Sequence, residues 1–390
     1  MKALLPLTLL ALAPLGALAA VAVPPSDTVE KTDGPPSQPA ILSSGFIYEK
    51  ASFASCHAVT LVETPSGLVS AWFGGTAEGN PDVCIYIARH EGGLWTLPVK
   101  VATGETPGGP THPCWNPVLI QPKAGHLMLF YKVGPSPQKW WGMLRTSADD
   151  GRTWSEGVKL PDGMLGPIKN KPVMLASGDM LCPTSTESVP GAKPAQPGED
   201  ARTLPKPSSD WRVHFERTSD LGKTWTRAEP AANTAGSEVN AIQPSILLLG
   251  GSKLLAIGRS RNGKLFETTS EDDGKTWSPL SLTTLPNPNS GTDAVTLKDG
   301  SHVLVYNHSP NSRNPMNVAV SKDGKAWEAA LVIEDMKTKG KGEFSYPAVI
   351  QTSDGLVHIA YTWKRQRIRH VVVDPSLITP RAFVNGEWPK

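Results

Sequence analysis

Short apolar or alternating runs, separated by turns, follow one another along most of the chain. Examples of the runs are residues 59–62, 127–131, 254–257 and 303–306. Gly-containing turns such as Ser66-Gly67, Asp299-Gly300 and Asp354-Gly355 separate them. Runs of this length between turn residues are typical of β-strands, and no long stretch has a helical period. The pattern therefore predicts an all-β protein.

A motif of the form Ser/Thr-x-Asp-x-Gly-Arg/Lys-Thr-Trp recurs between these runs. Full copies occupy residues 147–154, 218–225 and 270–277, a shortened copy 321–327 and a worn copy 89–95. The tryptophans lie roughly 50 to 70 residues apart, the length of one four-stranded propeller blade. Five motifs and a final set of strands over 356–361 and 368–373 predict six blades. We expect residues 41–73 to help close the ring.

The aspartates of this motif are expected to be structural. Asp and Ser side chains bond neighbouring backbone groups and tighten a turn, while Gly takes the conformation with positive φ. The Trp is expected to pack as an apolar plug between sheets. None of these aspartates is therefore a candidate catalytic group.

The first residues have the features of a targeting segment. Met1-Lys2 gives a positive start, residues 3–18 are largely apolar, and small residues over 16–19 form a cleavage site. We predict a signal peptide at 1–20, a flexible lead-in at 21–42 and one propeller domain at 43–390. The protein would then be exported, to the periplasm or fully secreted. No later segment is long and apolar enough to predict a membrane span.

Composition narrows the classes of partner. Lys and Arg number 38 against 36 Asp and Glu, so there is no basic excess that would favour nucleic acid. The four cysteines, Cys56, Cys84, Cys114 and Cys182, have wide spacings, which leaves open buried thiols or a single bridge. No metal and no cofactor are expected, because metal-binding spacings are lacking. We expect a monomer.

The recurring motif is the Asp-box, or BNR repeat, and the chain resembles the sialidase (neuraminidase) superfamily over residues 43–375. The resemblance implies a six-bladed β-propeller of sialidase type. It also implies an exo-acting glycosidase that removes a terminal acidic sugar from glycans.

The resemblance implies roles for three residues that match family positions. Tyr346, in Ser345-Tyr346-Pro347, stands eight residues before the Asp354-Gly355 turn, where the family has its nucleophile. Asp82 stands 25 residues after His57, in the place of the acid/base. Arg313 precedes the last Asp-box, as does an arginine that binds the substrate carboxylate.

Other family positions carry different residues here. His57 replaces the first carboxylate-binding arginine, and Gln243 replaces the glutamate that assists the tyrosine. The second arginine, which stands just ahead of an Asp-box in the family, has no clean match: Arg259 and Arg261 are nearby, and Lys264 lies closer to the box. Since Gln243 cannot take a proton, Glu343, close to Tyr346 in sequence, is the catalytic group expected to help.

Polar residues in apolar inner-strand contexts add further candidates for substrate binding. The substrate-binding set is His57, Arg313, Gln243, Arg259, Asp293, Asn116 and Lys132. The catalytic set is Asp82, Tyr346 and Glu343. Asp82 paired with Glu343 or Asp293 would give the commoner two-carboxylate mechanism of glycosidases.

The leading hypothesis is an exported glycoside hydrolase acting on a terminal sialic or uronic acid of an anionic glycan. One alternative is a uronate-directed polysaccharide lyase, in which a Tyr/His pair abstracts the proton beside the carboxylate. The other is a propeller that binds glycans without catalysis.

Overall fold

A computed structural model describes residues 38–106, 108–188, 210–336 and 342–389. The predicted signal peptide and most of the predicted lead-in lie outside the described residues. Within the described ranges the chain folds as strands, with one 3-10 helix at Pro375–Leu377 and no α-helix. The expectation of an all-β protein is confirmed.

The strands form six antiparallel sheets, which are the six predicted blades. The first strand of the chain, β1 (Ile41–Phe46), belongs to the last of these blades. The first blade consists of β2 (Ser55–Thr64), β3 (Gly67–Gly75), β4 (Cys84–Glu91) and β5 (Leu94–Trp95), with β6 (Val99–Ala102) also paired to β4. The second consists of β7 (Cys114–Ile120), β8 (Leu127–Val133), β9 (Trp141–Ser147) and β10 (Val158–Lys159). The third consists of β11 (Val173–Met174), β12 (Met180–Ser188), β13 (Asp210–Thr218) and β14 (Thr226–Ala228).

The remaining blades follow in the same way. The fourth consists of β15 (Ala241–Gly250), β16 (Lys253–Ser260), β17 (Lys264–Ser270) and β18 (Ser281–Pro286). The fifth consists of β19 (Asp293–Thr296), β20 (His302–Tyr306), β21 (Met316–Ser321) and β22 (Trp327–Glu334). The sixth consists of β23 (Phe344–Gln351), β24 (Val357–Trp363), β25 (Arg367–Val373) and β1.

The ring is closed by the two ends of the domain. Strand β1 pairs antiparallel with β25, from Ile41 opposite Val373 to Phe46 opposite Arg369. The sixth blade thus takes its outermost strand from the start of the domain, as the expected closure requires. This strand begins at Ile41, so its first two residues fall inside the predicted lead-in.

The Asp-box turns are built as the motif predicts. In the copy at 147–154, Asp149 accepts from the backbone N–H and hydroxyl of Thr153, at 2.8 and 2.6 Å. Ser147 donates to Asp149 and accepts from the N–H of Gly151, both at 2.8 Å. The Trp154 indole donates to the Gly151 carbonyl. These bonds, the Thr153 hydroxyl first, lower the pKa of Asp149 to about 2, so its carboxylate serves the turn.

Apolar side chains pack between neighbouring blades. All seven residues of β8 are buried, because sheets on both sides cover this strand. In the copy at 270–277, Trp277 stacks on Phe215 of the preceding blade, with ring centroids 3.7 Å apart. The four cysteines are buried and unpaired. Among the described residues, no helix is long and apolar enough to cross a membrane.

Candidate active site

Four blades carry the same irregularity at the start of their first strand. A β-bulge interrupts the ladder in β2, β7, β15 and β23, and each bulge holds a non-glycine residue at positive φ. These residues are Ala58 (57°), Asn116 (34°), Gln243 (57°) and Tyr346 (53°). Bulges redirect side chains, and strained residues of this kind cluster at functional sites. The first strands of neighbouring blades contact one another, so these four positions surround one end of the channel, which we call the mouth.

Tyr346 contacts several other residues of the mouth. Its hydroxyl accepts a hydrogen bond of 2.9 Å from Arg259 Nη1 and a longer one of 3.4 Å from Gln243 Nε2. Its ring packs on the imidazole of His57, with centroids 4.0 Å apart. On another side it meets Gly291, where an added Cβ would approach the ring to 3.1 Å. Three residues predicted for substrate binding therefore meet at the predicted nucleophile.

Glu343 lies between two arginines. Its Oε1 accepts from Arg313 Nη1 and from Arg365 Nε, both at 2.8 Å, and Arg365 also reaches Glu78 at 2.5 Å. Burial would raise the pKa of Glu343, but Arg365 and Arg313 outweigh it and the pKa is lowered. The carboxylate is thus an ionised counter-ion of the two arginines. Its predicted role as a helper of Tyr346 stays a prediction.

Positive charge gathers around His57. The imidazole is 2% exposed, and its Nδ1 lies 3.1 Å from the Thr362 hydroxyl. Burial first, and then four cations, hold its pKa well below the usual range, so His57 is neutral. The four cations are Arg365, Arg313, Arg259 and Lys169.

Asp82 lies in an exposed loop between β3 and β4. Its carboxylate accepts from the backbone N–H of Thr76 at 2.8 Å and from the Thr76 hydroxyl at 3.0 Å. The same loop is tied to the mouth at Glu78, by the ion pair with Arg365, and at Gly79, which lies against Trp115. The loop is therefore fixed beside the mouth, while the acid/base role of Asp82 stays a prediction.

The comparison with protein families fits this geometry. A family model described as a BNR repeat-like domain matches residues 66–359. The chain belongs to this family. The Asp-box turns and the six blades agree with its being a BNR repeat protein. No curated protein matches the sequence.

Solved structures similar to this BNR protein share its fold. The NanB sialidase from Streptococcus pneumoniae has a TM-score of 0.65 and 11% identity, over 86% of this chain and 71% of that one. The intramolecular trans-sialidase from Ruminococcus gnavus has a TM-score of 0.63 and 12% identity, over 87% and 99%. A protein of unknown function from Dyadobacter fermentans has a TM-score of 0.64 and 16% identity, over 86% and 98%. At such identities the likeness shows the sialidase propeller fold alone.

Two cations of the BNR protein's mouth, Arg365 and Lys169, were not among the predicted site residues. Arg365 lies in the turn between β24 and β25, and its carbonyl accepts from the N–H of Cys56, next to His57. The guanidinium of Arg365 thus lies near enough to His57 to lower its pKa. Its signal in the sequence was only a charged residue between two strands.

Lys169 is buried in the channel and supports the mouth from below. Its ammonium donates to Asn170 Oδ1 and to the carbonyls of Thr292 and Pro347, at 2.8, 2.8 and 2.5 Å. Burial lowers its pKa to about 7, although Asp293 opposes the shift. Because Pro347 follows Tyr346, Lys169 holds the bulge that presents the tyrosine.

Asp293 ties the first strands of three blades together. Its Oδ1 accepts from the Ser245 hydroxyl at 2.8 Å and from the N–H of the next residue, Ala294, at 2.9 Å. Its Oδ2 accepts from Val349 N–H and Lys171 Nζ, both at 2.9 Å. These bonds give Asp293 a structural role in the channel, and its predicted part in substrate binding gains no support.

Lys132 and Asn116 differ in position. Lys132 is fully buried, and its ammonium donates to the Pro167 carbonyl. Burial lowers its pKa to about 7, against the nearby charge of Glu216. This lysine supports the segment that leads to Lys169, and a direct role in substrate binding gains no support. Asn116 is at the mouth, on the second blade.

Proposed function

We propose that this BNR protein is a sialidase-like exo-glycoside hydrolase acting on a terminal acidic sugar, sialic or uronic, of glycans. The observation that carries the proposal is the 2.9 Å contact between Arg259 and the Tyr346 hydroxyl at the mouth. A guanidinium in this place stabilises negative charge on the phenol oxygen, which a nucleophilic tyrosine must develop.

The charge of the mouth supports an anionic substrate. Four basic side chains surround His57. Of the carboxylates near them, Glu343 and Glu78 are shared with Arg365, and Asp293 lies near Lys169. Arg259 contacts the Tyr346 hydroxyl, so its positive charge also lies at the mouth. A carboxylate on the sugar is attracted to such a surface, and arginine forks bind carboxylates with defined geometry.

The proposed reaction has two steps. The Tyr346 oxygen bonds to the anomeric carbon while the bond to the leaving oxygen breaks, and Asp82 gives that oxygen its proton. We assign the phenol proton to His57, whose ring packs on the phenol, although burial and the surrounding cations oppose its protonation. Water, deprotonated by Asp82, then attacks the anomeric carbon and releases Tyr346, which regains its proton.

The test is turnover of a panel of sialosides and uronosides by the wild type and by Tyr346→Phe. Loss of cleavage in the mutant by a factor of about a thousand or more would support the nucleophile. Tyr86→Phe is the matched control, since Tyr86 packs on Phe53 in the first blade. Absence of turnover by the wild type on the whole panel would overturn the proposal and favour a glycan-binding propeller.

A second candidate, the uronate lyase, is favoured by one observation. Glu343 is occupied by two arginines and Gln243 cannot accept a proton, so neutral His57 is the base nearest to the Tyr346 ring. A His/Tyr pair beside arginines suits proton abstraction next to a carboxylate. An unsaturated product with new ultraviolet absorbance would identify elimination, whereas hydrolysis gives a saturated sugar.

We also propose that the protein is exported, with removal of residues 1–20. The support is the positive start, the apolar run and the small residues of the segment. Cell fractionation followed by intact mass of the mature chain tests this. A chain that keeps Met1 and stays in the cytoplasm would contradict export.

A further inference from the structure

A cleft of about 340 Å³ opens between the second and third blades. Trp140 and Trp141 line it together with Gln138, Asp162 and Glu187. Both tryptophans are only partly buried. Aromatic faces beside polar side chains with hydrogen-bonding atoms are suited to a sugar ring, which is apolar on its C–H face and polar at its edge.

The two indoles are held in place by other rings. Trp140 packs against Trp115 with centroids 5.9 Å apart and planes at 68°, and Trp141 packs against His112 at 5.5 Å and 90°. Trp115 is itself fixed by its indole N–H, which donates to the Gly134 carbonyl at 2.8 Å. Side chains that are already ordered lose little entropy when a ligand binds.

The residues that line the cleft include two cations, Lys159 and Arg227, and two carboxylates, Asp162 and Glu187. Asp162 pairs with Lys159 at 2.7 Å, and Glu187 accepts from Gln138 at 3.2 Å. Arg227, also on the wall, pairs with Glu229. In contrast to the mouth, the cleft therefore presents no excess of cations, and it suits a neutral sugar better than an acidic one.

The cleft lies at the same end of the propeller as Tyr346. Trp140 belongs to the connection that leaves β8 after Val133, and Val133 pairs with Cys114 at the start of β7, next to the Asn116 bulge. Successive ring contacts also lead there from the tyrosine. They run from Tyr346 to His57 (4.0 Å), Phe73 (5.8 Å), Trp115 (6.2 Å) and Trp140 (5.9 Å).

We infer that this cleft binds a neutral sugar ring of the glycan whose acidic end is processed at Tyr346. The inference rests on the proposed function for the identity of that glycan. The cleft itself is a carbohydrate site whether or not Tyr346 is a nucleophile. It would make the protein favour extended glycans over small glycosides.

Binding is tested on the full chain by isothermal titration with lactose, N-acetyllactosamine and cellotetraose, which are neutral. We expect at least one to bind, with affinity lowered about tenfold by Trp140→Ala or Trp141→Ala and largely kept by Trp140→Phe. Trp95→Ala is the control, since Trp95 packs on His370 in another part of the ring. Binding of none at millimolar concentration, or equal binding by all variants, would overturn the inference.

Kinetics separate this inference from the proposed function. If the wild type releases an acidic sugar, kcat/KM can be measured for an oligosaccharide and for an aryl glycoside that carry this sugar. Trp140→Ala should then lower the ratio of the first kcat/KM to the second by about tenfold. An unchanged ratio would count against the cleft while the catalytic proposal survives. Conversely, if the neutral sugars bind in a way that depends on Trp140 but no substrate is turned over, the cleft is supported and the hydrolase is rejected.

Discussion

The guanidinium of Arg259 joins the phenol oxygen of Tyr346, at 2.9 Å, to the indole face of Trp211, at 4.9 Å from ring centroid to Cζ. The two contacts fix the direction in which the arginine presents its charge. A positive group held in advance toward an oxygen that becomes negative stabilises a transition state without reorganisation.

Replacing this arginine should therefore affect the chemical step more than binding. We expect Arg259→Lys to lower kcat by about a hundredfold, because a lysine keeps a charge but loses the planar contact with Trp211 and Tyr346. Steady-state kinetics on the released acidic sugar measure it. Arg261→Lys, which changes the neighbouring arginine on the same indole, is the control. Equal effects of both substitutions would show that only the packing of Trp211 matters.

Glu343→Gln distinguishes a counter-ion from a catalytic base. The substitution removes the negative charge between Arg313 and Arg365, so we expect the free acidic sugar to inhibit about tenfold more strongly, with kcat changed less than tenfold. Inhibition constants and kcat from one set of assays decide the question. A fall in kcat by a factor of about a hundred or more would instead make Glu343 the base for Tyr346.

Lys169→Met should weaken both the fold and the mouth. The methionine fills much of the same space, but it leaves the Thr292 and Pro347 carbonyls without their buried donor. We expect the free energy of unfolding to fall by about 3 kcal/mol and kcat to fall with it. Urea unfolding gives the first quantity, and Lys139→Met, at an exposed lysine, is the control. An unchanged kcat would show that Tyr346 keeps its position without this lysine.

Acid should lower the stability of the protein at the seam between the first and sixth blades. His358 Nδ1 lies 3.0 Å from His370 Nε2, and the Trp95 indole donates to His370 Nδ1. Burial first, and then the charges of His358 and His90, lower the pKa of His370 to about 3. Because the unfolded chain takes up this proton near pH 6.5 and the folded chain does not, stability is full above that pH and falls down to about pH 3.

From pH 7 to pH 5, His370 alone should remove about 2 kcal/mol from the free energy of unfolding. Urea unfolding at both values measures it, and His370→Gln should show a smaller difference between them. Burial also lowers the pKa of neighbouring His358, although Asp354 and Glu63 oppose the shift, so His358 contributes to the same loss of stability in acid. An identical pH dependence in wild type and His370→Gln would contradict the assignment.

Trp277→Ala should destabilise the protein without a specific effect on the site. The indole stacks on Phe215 with planes 11° apart and is 4% exposed. Loss of a large buried aromatic costs about 3 to 5 kcal/mol, while KM should stay within twofold at a temperature where the variant is folded. Thermal unfolding measures the loss, with Leu282→Ala, at an exposed position, for comparison. A large change in KM would give this turn a part in binding.

The fold could be predicted because its signals are local. Each Asp-box closes within eight residues, as the hydrogen bonds from Thr153 to Asp149 and from Trp154 to Gly151 show. The repeat length then gives the blade, and the number of repeats gives the ring. The worn copy is the exception: residues 91–94 form a tight hairpin with Gly92 and Gly93 at positive φ and lack the Asp and Ser of the motif.

The site could be predicted in part, since its distant residues were placed only through the family pattern. That pattern brought His57, Gln243 and Arg259 to Tyr346. It missed Lys169, whose bond to Pro347 spans 178 positions, and Arg365, which lies in a turn at positive φ without glycine. The prediction for Lys132 came from another signal, a polar residue in an apolar strand, and that signal is the same whether the ammonium faces a channel or a buried carbonyl.

The pairing of β1 with β25 also governs the order in which the molecule is completed. Ile41 and Val373 belong to the same blade but lie more than three hundred residues apart in the sequence, and they must pair before the ring can close. Early blades can pair their own strands during synthesis, but the circle stays open until the last blade emerges. During synthesis the propeller of this protein therefore stays an open ring for nearly the whole length of the chain. The ring closes in a single late step.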